Sequence, residues 1–269
     1  MSKAGQACRW LRDVVQVLVW DRFNPGRRHL AEAASTACRS LNFHSHCRIT
    51  SQPLAKVLEK LGVDHLPTVT LPGPSVRSGD VGSHAGYYIL GALVRSLQPA
   101  TILEFGTYLG VSALGMMLNA PPDCRLFTVD LPDTARPGSV PELNALDQRH
   151  ISTSRHRVGE AFAGTEFAKR ITQVAADSMT FRAESVLPVA DCVYVDGGHS
   201  LPVITKDTEN AFRVLAPNGT IIWDDYFHLY PDVVKFLDDL SNEHELIGIE
   251  GSNYVVFSRR WEKTSRVTS

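Results

Sequence analysis

Short apolar runs recur along the second two thirds of the chain, and stretches of helical length separate them. The runs that predict buried strands are Thr101–Phe105, Arg125–Val129, Ile171–Val174, Asp191–Val195 and Thr220–Trp223. The intervening stretches predict helices that begin near Gly110, Gly159, Ser178, Pro202 and Pro231. Strands that alternate with helices in this way are typical of a mainly parallel sheet with helices on both faces, which is a doubly wound α/β fold.

The pattern changes at the end of the chain. Two further strand-like runs, Glu245–Glu250 and Tyr254–Ser258, flank the turn sequence Gly251-Ser252-Asn253. Two strands joined by so short a turn must run antiparallel. The sequence therefore predicts a seven-stranded, Rossmann-like sheet that is mainly parallel and closes with an antiparallel terminal hairpin.

The first part of the chain has a different character. Residues 1 to about 62 have a largely helical pattern, with a helix predicted from Leu54 to Leu61 after the start signal Ser51-Gln52-Pro53. Residues 63–82 are rich in proline and glycine, which is typical of a linker. We therefore expect a helical N-terminal extension and linker over 1–82, an α/β domain over 83–262 and a short tail over 263–269. The sequence does not decide whether the extension is a lid over a site or a dimer contact, so a homo-oligomer stays open.

Composition narrows the class of protein. The 269 residues carry a net charge of −2 and are 43% hydrophobic, so no strong global charge attracts nucleic acid or an anionic membrane. No apolar stretch reaches the length of a membrane span. The five cysteines are scattered, odd in number and without CxxC pairing, which suits a reduced, cytoplasmic protein.

Two acidic clusters, 28 residues apart, each follow a predicted strand directly. The segment Asp196-Gly197-Gly198-His199 follows the fourth strand, and the pair Asp224-Asp225 follows the fifth. Ligands of open α/β sheets bind at the carboxyl ends of the strands. Three carboxylates and an imidazole at that edge are suited to hold a hard divalent cation and to move a proton.

A glycine-containing loop follows the first predicted strand, where residues 104–112 read E-F-G-T-Y-L-G-V-S. Gly106 permits a tight turn and a close ligand, and Gly110 opens the next helix, whose amides favour a carboxylate or phosphate. The dinucleotide fingerprint would need glycine where Tyr108 and Val111 stand, so a pyrophosphate fits poorly. A zwitterionic or cationic nucleoside fits better.

Two further acidic positions complete this predicted ligand site. Asp130 ends the second strand, where a carboxylate can accept hydrogen bonds from ribose hydroxyls. Asp177-Ser178 follows the third strand, where it could contact the edge of a base. Both positions also suit a helix cap, which needs no ligand.

With this loop and these acids, the sequence resembles the class I S-adenosylmethionine-dependent methyltransferases over about residues 83–258. In that family the E-x-G-x-x-x-G loop, here Glu104, Gly106 and Gly110, binds the methionine end of the cofactor. The acid after the second strand, here Asp130, binds the ribose. The loop is similar to that of the catechol O-methyltransferases, in which the tyrosine and serine at the positions of Tyr108 and Ser112 help to hold the methionine carboxylate. The resemblance also implies cofactor contacts for Thr107 and Asp196.

The resemblance extends to the acidic clusters. In cation-dependent O-methyltransferases, an aspartate after the fourth strand and an acidic-plus-amide pair after the fifth bind the metal. Asp196 and Asp224 match two of these ligands, and Asp225 stands where the catechol enzymes have asparagine, as in some sugar and natural-product O-methyltransferases. The third carboxylate is expected to favour Mg²⁺, Mn²⁺ or Ca²⁺ over softer metals.

The residue three after the first aspartate is a lysine base in the catechol enzymes, and here it is His199. A neutral imidazole is available near physiological pH, so His199 is the candidate general base for a small-molecule hydroxyl. The cation would polarise that hydroxyl.

Other interpretations stay open on the sequence alone. One is a metal-independent methyltransferase that acts on oxygen or nitrogen through Asp196 or His199. Another is a nucleoside-binding protein without catalysis that serves as a regulatory or scaffold partner. Both clusters could also be ordinary strand-end turns, with Asp196 or Asp224-Asp225 as caps.

Overall fold

The computed structural model describes residues 47–73, 84–135, 142–144, 147–148, 151 and 155–261. The chain divides into two compact units, Met1–Arg48 and Ile49–Ser269. Residues 1–48 of the predicted extension form the first unit, and residues 1–46 lie outside the described residues. The description that follows concerns the second unit.

One sheet of eight strands runs through the described part of the second unit. The strands are β1 Ser51–Gln52, β2 Thr101–Phe105, β3 Arg125–Asp130, β4 Ile171–Ala175, β5 Ala190–Val195, β6 Leu215–Trp223, β7 Ile247–Ile249 and β8 Val255–Ser258. Their order is β1-β7-β8-β6-β5-β2-β3-β4. Strands β2 to β6 pair in parallel, whereas β8 is antiparallel to both β6 and β7. The predicted mainly parallel sheet with its antiparallel hairpin is confirmed.

The helices follow the strands as the alternation predicts, with two exceptions. The α-helices are α1 Leu54–Lys60, α2 His84–Leu97, α3 Val111–Asn119, α4 Leu201–Val214 and α5 Pro231–Leu240, and short 3₁₀ turns cover Arg155–Arg157, Glu166–Arg170 and Ala183–Ser185. The α-helices predicted near Gly159 and Ser178 are wrong. Gly159 and Gly164 have φ of 76° and 75°, which breaks a right-handed helix. After Ser178 the chain is already extended at Arg182, with φ −123° and ψ 113°.

The eighth strand, β1, was not expected, because Ser51-Gln52 has the composition of a helix start. These two residues instead pair in parallel with Gly248 and Ile249 of β7, and the helix begins only after Pro53. A two-residue edge strand has no hydrophobic periodicity of its own, so only its partner identifies it.

One face of the sheet packs against the apolar sides of α2 and α3. Leu93 of α2 and Met116 of α3 are fully buried and belong to the same core cluster as Ile102 of β2 and Leu126 of β3. Burying an aliphatic side chain of this size stabilises a fold by about 1.5–3 kcal/mol. Among the described residues no helix is long and apolar enough to cross a membrane.

The strand order determines where a ligand can enter. Strand β2 lies between β3 and β5, since the chain first runs outward to β4 and then returns to the other side of β2. Phe105, the last residue of β2, pairs with Val195, the last residue of β5. Diverging connections at such a switch point leave a crevice at the carboxyl ends of the strands. Gly106 and Asp196, which directly follow β2 and β5, line this crevice.

Candidate active site

A cavity of about 240 Å³ opens at this switch point. Eight of the residues identified from the sequence line it: Gly106, Tyr108, Asp130, Asp177, Ser178, Asp196, His199 and Asp225. The other five are described but do not line it: Glu104, Thr107, Gly110, Ser112 and Asp224. The cavity thus brings together three groups of residues. They are one side of the loop 104–112, here called the cofactor loop, the acids after β3 and β4, and members of both acidic clusters.

The close approach of two strand ends explains the glycine at 106. Gly106 has φ 92°, and a Cβ atom there would lie 1.9 Å from the backbone oxygen of Asp196. The Asp196 amide donates to the Phe105 carbonyl at 2.9 Å, so β2 and β5 stay paired to their last residues. No residue with a side chain fits this turn. The glycine therefore lets Asp196, which directly follows β5, lie against the loop that follows β2.

Asp130 is fixed at the cavity wall by two backbone amides. Its Oδ2 accepts a hydrogen bond from the Tyr108 amide at 2.8 Å, and its Oδ1 accepts one from the Leu131 amide at 2.7 Å. Tyr108 has φ 44°, a left-handed conformation that turns its amide toward Asp130. A carboxylate oxygen can accept more than one hydrogen bond, so Asp130 remains suited to accept from ligand hydroxyls.

Glu104 belongs to a buried network behind the loop. It is fully buried, and its two oxygens accept hydrogen bonds from Ser112 Oγ at 2.6 Å and Thr128 Oγ1 at 2.5 Å. Thr107 Oγ1 lies 2.7 Å from Thr128 Oγ1 and extends the chain of hydroxyls. Burial raises the pKa of Glu104 to about 7, although the hydrogen bonds from Ser112 and Thr128 oppose the rise. Glu104, Thr107 and Ser112, which the sequence predicted as cofactor contacts, thus support the loop from behind and do not line the cavity.

Gly110 stands at the start of α3 and away from the cavity. Its φ is 78°, and a Cβ atom there would lie 2.6 Å from the Phe162 ring. The Gly159 amide donates to the Tyr108 carbonyl at 2.8 Å, which ties the same segment to the loop. The glycine therefore permits the packing of Phe162 on the helix start.

The second acidic cluster splits into two environments. Ligand atoms of Asp196, His199 and Asp225 all lie within 4.8 Å of one another, so this trio could hold a metal ion. Asp225 has φ 61°, and this left-handed turn separates its direction from that of Asp224. Asp224 instead accepts hydrogen bonds from Tyr194 Oη at 2.7 Å and from the Asp225 amide at 2.7 Å.

Tyr194 connects the two strand ends beneath the cluster. Its hydroxyl lies 3.1 Å from Asp196 Oδ2 as well as 2.7 Å from Asp224 Oδ2. Burial and the neighbouring carboxylates Asp224 and Asp225 raise the pKa of Asp196 well above its ordinary value. Burial and Asp225 likewise raise the pKa of Asp224 to about 7. Crowded carboxylates of this kind favour a bound proton or a bound cation.

His199 lies between two carboxylates. Its Nδ1 is 2.5 Å from Asp147 Oδ1, its Nε2 is 2.6 Å from Asp225 Oδ2, and its amide donates to Asp147 Oδ2 at 2.9 Å. Its ring stacks on Tyr230, with centroids 4.1 Å apart. Burial lowers the pKa of His199, but the hydrogen bonds with Asp147 and Asp225 outweigh burial and raise the pKa well above its ordinary value.

Sequence reasoning missed Asp147, Tyr230 and Asp207, all of which line the cavity. Asp147 lies in a helical stretch between β3 and β4 that the sequence pattern did not predict, and no motif or strand end distinguishes it. Tyr230 directly precedes the predicted helix start at Pro231, and this position was the one sequence signal that could have drawn attention to it. Asp207 lies inside α4 among residues with helical periodicity.

Comparisons with known proteins agree with this geometry. Residues 103–226 match the family model described as a methyltransferase domain. No curated protein matches the chain. The SAH-bound methyltransferase PaMTH1 from Podospora anserina aligns at 16% identity over 88% of this chain and 96% of its own, with a TM-score of 0.51.

Two further solved structures are similar at TM-scores of 0.47. One is an O-methyltransferase candidate from Klebsiella pneumoniae, at 21% identity over 82% of this chain and 95% of its own. The other is the O-methyltransferase TomG from Streptomyces achromogenes, at 17% identity over 78% of this chain and 91% of its own. The matched segment, 103–226, contains the cofactor loop, Asp130 and both acidic clusters. Residues 103–226 are therefore similar to a methyltransferase domain, and the fold around them is shared with a solved methyltransferase.

Proposed function

We propose that the protein transfers the methyl group of S-adenosylmethionine to a hydroxyl of a small molecule, with a divalent cation at Asp196 and Asp225. The observation that carries this proposal is the contact of His199, held by Asp147, with Asp225 at the cofactor cavity. The shared position of His199, Asp196 and Asp225 at the edge of the cavity supports a reaction that joins proton removal to methyl transfer.

The residues of the cavity fit the cofactor. The Gly106 turn leaves backbone exposed to the methionine end, and Asp130 presents oxygens to ribose hydroxyls. The buried carboxyl of Glu104 is only about half ionised at pH 7, because its pKa is raised to about 7. A sulfonium ligand brings one positive charge to a cavity bordered by several carboxylates, which suits both partners.

The donor set also fits a hard divalent cation. Asp196 and Asp225 offer carboxylate oxygens to one point, and Tyr194 links Asp196 to Asp224 behind them. Mg²⁺, Mn²⁺ and Ca²⁺ prefer such oxygen ligands. When bound, the cation would supply positive charge that polarises the acceptor hydroxyl.

A cation at Asp225 would oppose the rise in the pKa of His199 that this carboxylate causes, and the neutral imidazole would then be suited to remove the proton of the acceptor hydroxyl. Asp147 holds Nδ1–H and the backbone amide, so the ring keeps one orientation and presents Nε2 to the cluster. In the structure Nε2 is bonded to Asp225, so the acceptor hydroxyl must replace this carboxylate at Nε2 before the proton moves. The stacked Tyr230 ring covers one face of the imidazole and limits access of water.

One observation favours a second candidate, a metal-independent O-methyltransferase. A protonated His199 already provides a positive charge between Asp147 and Asp225 without any cation. In that mechanism the imidazolium would balance the carboxylates, and Asp196 would accept the proton of the substrate.

Removal of metal distinguishes the two candidates. The protein is assayed for transfer of a radioactive methyl group to a panel of phenols and sugars, with excess EDTA and then with added Mg²⁺ or Mn²⁺. We expect EDTA to abolish transfer and the cation to restore it, while S-adenosylhomocysteine binding in EDTA persists. Full transfer in EDTA would favour the metal-independent reaction, and transfer to amines alone would overturn the assignment to oxygen.

The Asp225→Asn variant tests the cation site separately. We expect it to need at least about tenfold more Mg²⁺ for half-maximal activity, because a charged ligand is lost. Asp232→Asn is the matched control, since Asp232 accepts the Leu201 amide at 3.1 Å and does not line the cavity. An unchanged Mg²⁺ requirement in Asp225→Asn would show that the cation binds elsewhere.

A further inference from the structure

A buried carboxylate of α4 borders the cofactor cavity without a role in the reaction described above. Asp207 is 1% exposed, lines the cavity, and its Oδ1 has no hydrogen-bond partner in the described part of the chain. Three buried serine hydroxyls, at positions 51, 96 and 200, share this lack of a partner, but none of them lines the cavity. A buried carboxylate oxygen without a partner costs several times more than a hydroxyl, so a ligand donor at this point would be strongly favoured.

The position of Asp207 is made possible by Gly197. A Cβ atom on Gly197 would lie 2.6 Å from Asp207 Oδ2, so any larger residue at 197 would displace the carboxylate. The absence of a side chain at Gly197, after β5, therefore makes room for the carboxylate of Asp207, which α4 supplies to the cavity wall.

Asp207 lies at the end of the cavity bordered by β4. Burial raises the pKa of Asp207 to about 7, a hydrogen bond with Ser178 opposes the rise, and Asp177 adds to it. Asp177 Oδ1 is occupied by the Met179 amide at 2.9 Å. Asp177 Oδ1 thus serves the turn and Ser178 serves Asp207, whereas Asp207 Oδ1 has no hydrogen-bond partner among the described residues.

The chemistry of the cofactor supplies one matching donor. Asp130, after β3, faces the ribose in the proposed function, and the base must lie beyond it. Leu131 and Ala176 provide apolar contact for a flat ring there. The donor on the edge of adenine is its exocyclic N6 amino group.

We propose that Asp207 is an adenine-recognition residue, whose Oδ1 accepts a hydrogen bond from the N6 amino group of the cofactor. This inference rests on the proposed use of S-adenosylmethionine. It assigns to the helix after β5 a contact that the sequence suggested for Asp177 and Ser178.

The test pairs a change in the protein with a change in the ligand. Calorimetry measures binding of S-adenosylhomocysteine and of its analogue with hydrogen in place of the N6 amino group. We expect the wild-type protein to lose about tenfold or more in affinity for the analogue, the value for one hydrogen bond to a carboxylate. In Asp207→Ala both ligands should bind equally and weakly, whereas Asp207→Asn keeps an acceptor oxygen and the preference for the amino group.

Glu209→Gln is the matched control, because Glu209 lies on the exposed side of the same helix. Circular dichroism checks the fold of each variant, and Asp207→Ser replaces the alanine variant if that one does not fold. The inference is overturned if the wild-type protein binds both ligands equally, or if the folded alanine or serine variant keeps the wild-type preference. Absence of S-adenosylhomocysteine binding in the wild-type protein would instead refute the proposed function itself.

Discussion

The buried carboxyl of Glu104 should make the stability of the ligand-free domain depend on pH, and Glu104→Gln should remove that dependence. The pKa of Glu104 is raised from 4.5 to about 7, mainly by burial. Between these values the folded protein holds a proton that the unfolded chain releases. The free energy of unfolding therefore falls as pH rises from about 4.5 to about 7, and this group contributes no further change at higher pH.

The size of the effect follows from the two pKa values. Ionising Glu104 inside the fold costs about 3 kcal/mol in full, since each pKa unit corresponds to about 1.4 kcal/mol. Between about pH 5 and about pH 8.5, wild-type stability should fall by about 2.5 kcal/mol more than that of Glu104→Gln. Other carboxyls with raised pKa values, such as Asp207 and Asp224, are present in both proteins and cancel in the comparison.

The glutamine variant should fold, because the hydroxyl network can reverse its direction. Thr128 Oγ1 would accept the new amide N–H and donate its own proton to Thr107 Oγ1, 2.7 Å away. Urea unfolding at the two pH values, without cofactor, gives both free energies. Glu243→Gln makes the same change at an exposed position and should leave the pH dependence as in the wild type. Parallel pH curves for the wild type and Glu104→Gln would refute the reasoning.

Three further predictions concern the loop, the base and the core. Gly106→Ala should lower stability by more than about 2 kcal/mol and abolish S-adenosylhomocysteine binding, because its Cβ meets a backbone oxygen at 1.9 Å; normal calorimetric binding would contradict this. Asp147→Asn should lower kcat about 100-fold with little change in cofactor affinity, since His199 loses the charge that orients it; equal losses in both would indicate a structural role. Thr208→Val should cost about 1–3 kcal/mol in urea unfolding, because Trp223 Nε1 loses its buried acceptor at 2.9 Å; an unchanged midpoint would contradict this.

The periodic part of the molecule could be predicted from the sequence. Strands such as Thr101–Phe105 and Asp191–Val195 are short apolar runs, and parallel strands that follow one another through helices must end at one edge. This is why Gly106, Asp130, Asp196 and Asp225 could be expected at one site, and the structure brings all four to the cavity.

The parts without periodicity could not be predicted. Asp147 reaches His199 across 52 positions from a helical stretch that no predicted element covers, and only the folded chain puts the two residues 2.5 Å apart. Strand β1 exists because β7 offers an unpaired edge, and the helices expected near Gly159 and Ser178 are replaced by turns. Local sequence propensity cannot predict contacts with partners that are distant along the chain.

The acidic clusters show where the division lies. The sequence by itself determined that three carboxylates and His199 stand at the carboxyl ends of neighbouring strands, because strand ends follow from hydrophobic runs. Only the tertiary structure decided that adjacent, chemically identical residues separate, with Asp225 facing His199 and Asp224 facing Tyr194. The physical reason is the backbone turn at Asp225, with φ 61°. On either side of it the Asp224 amide bonds to the Val195 carbonyl and the Tyr226 amide to the Asn253 carbonyl, which are partners that the composition of the pair does not contain.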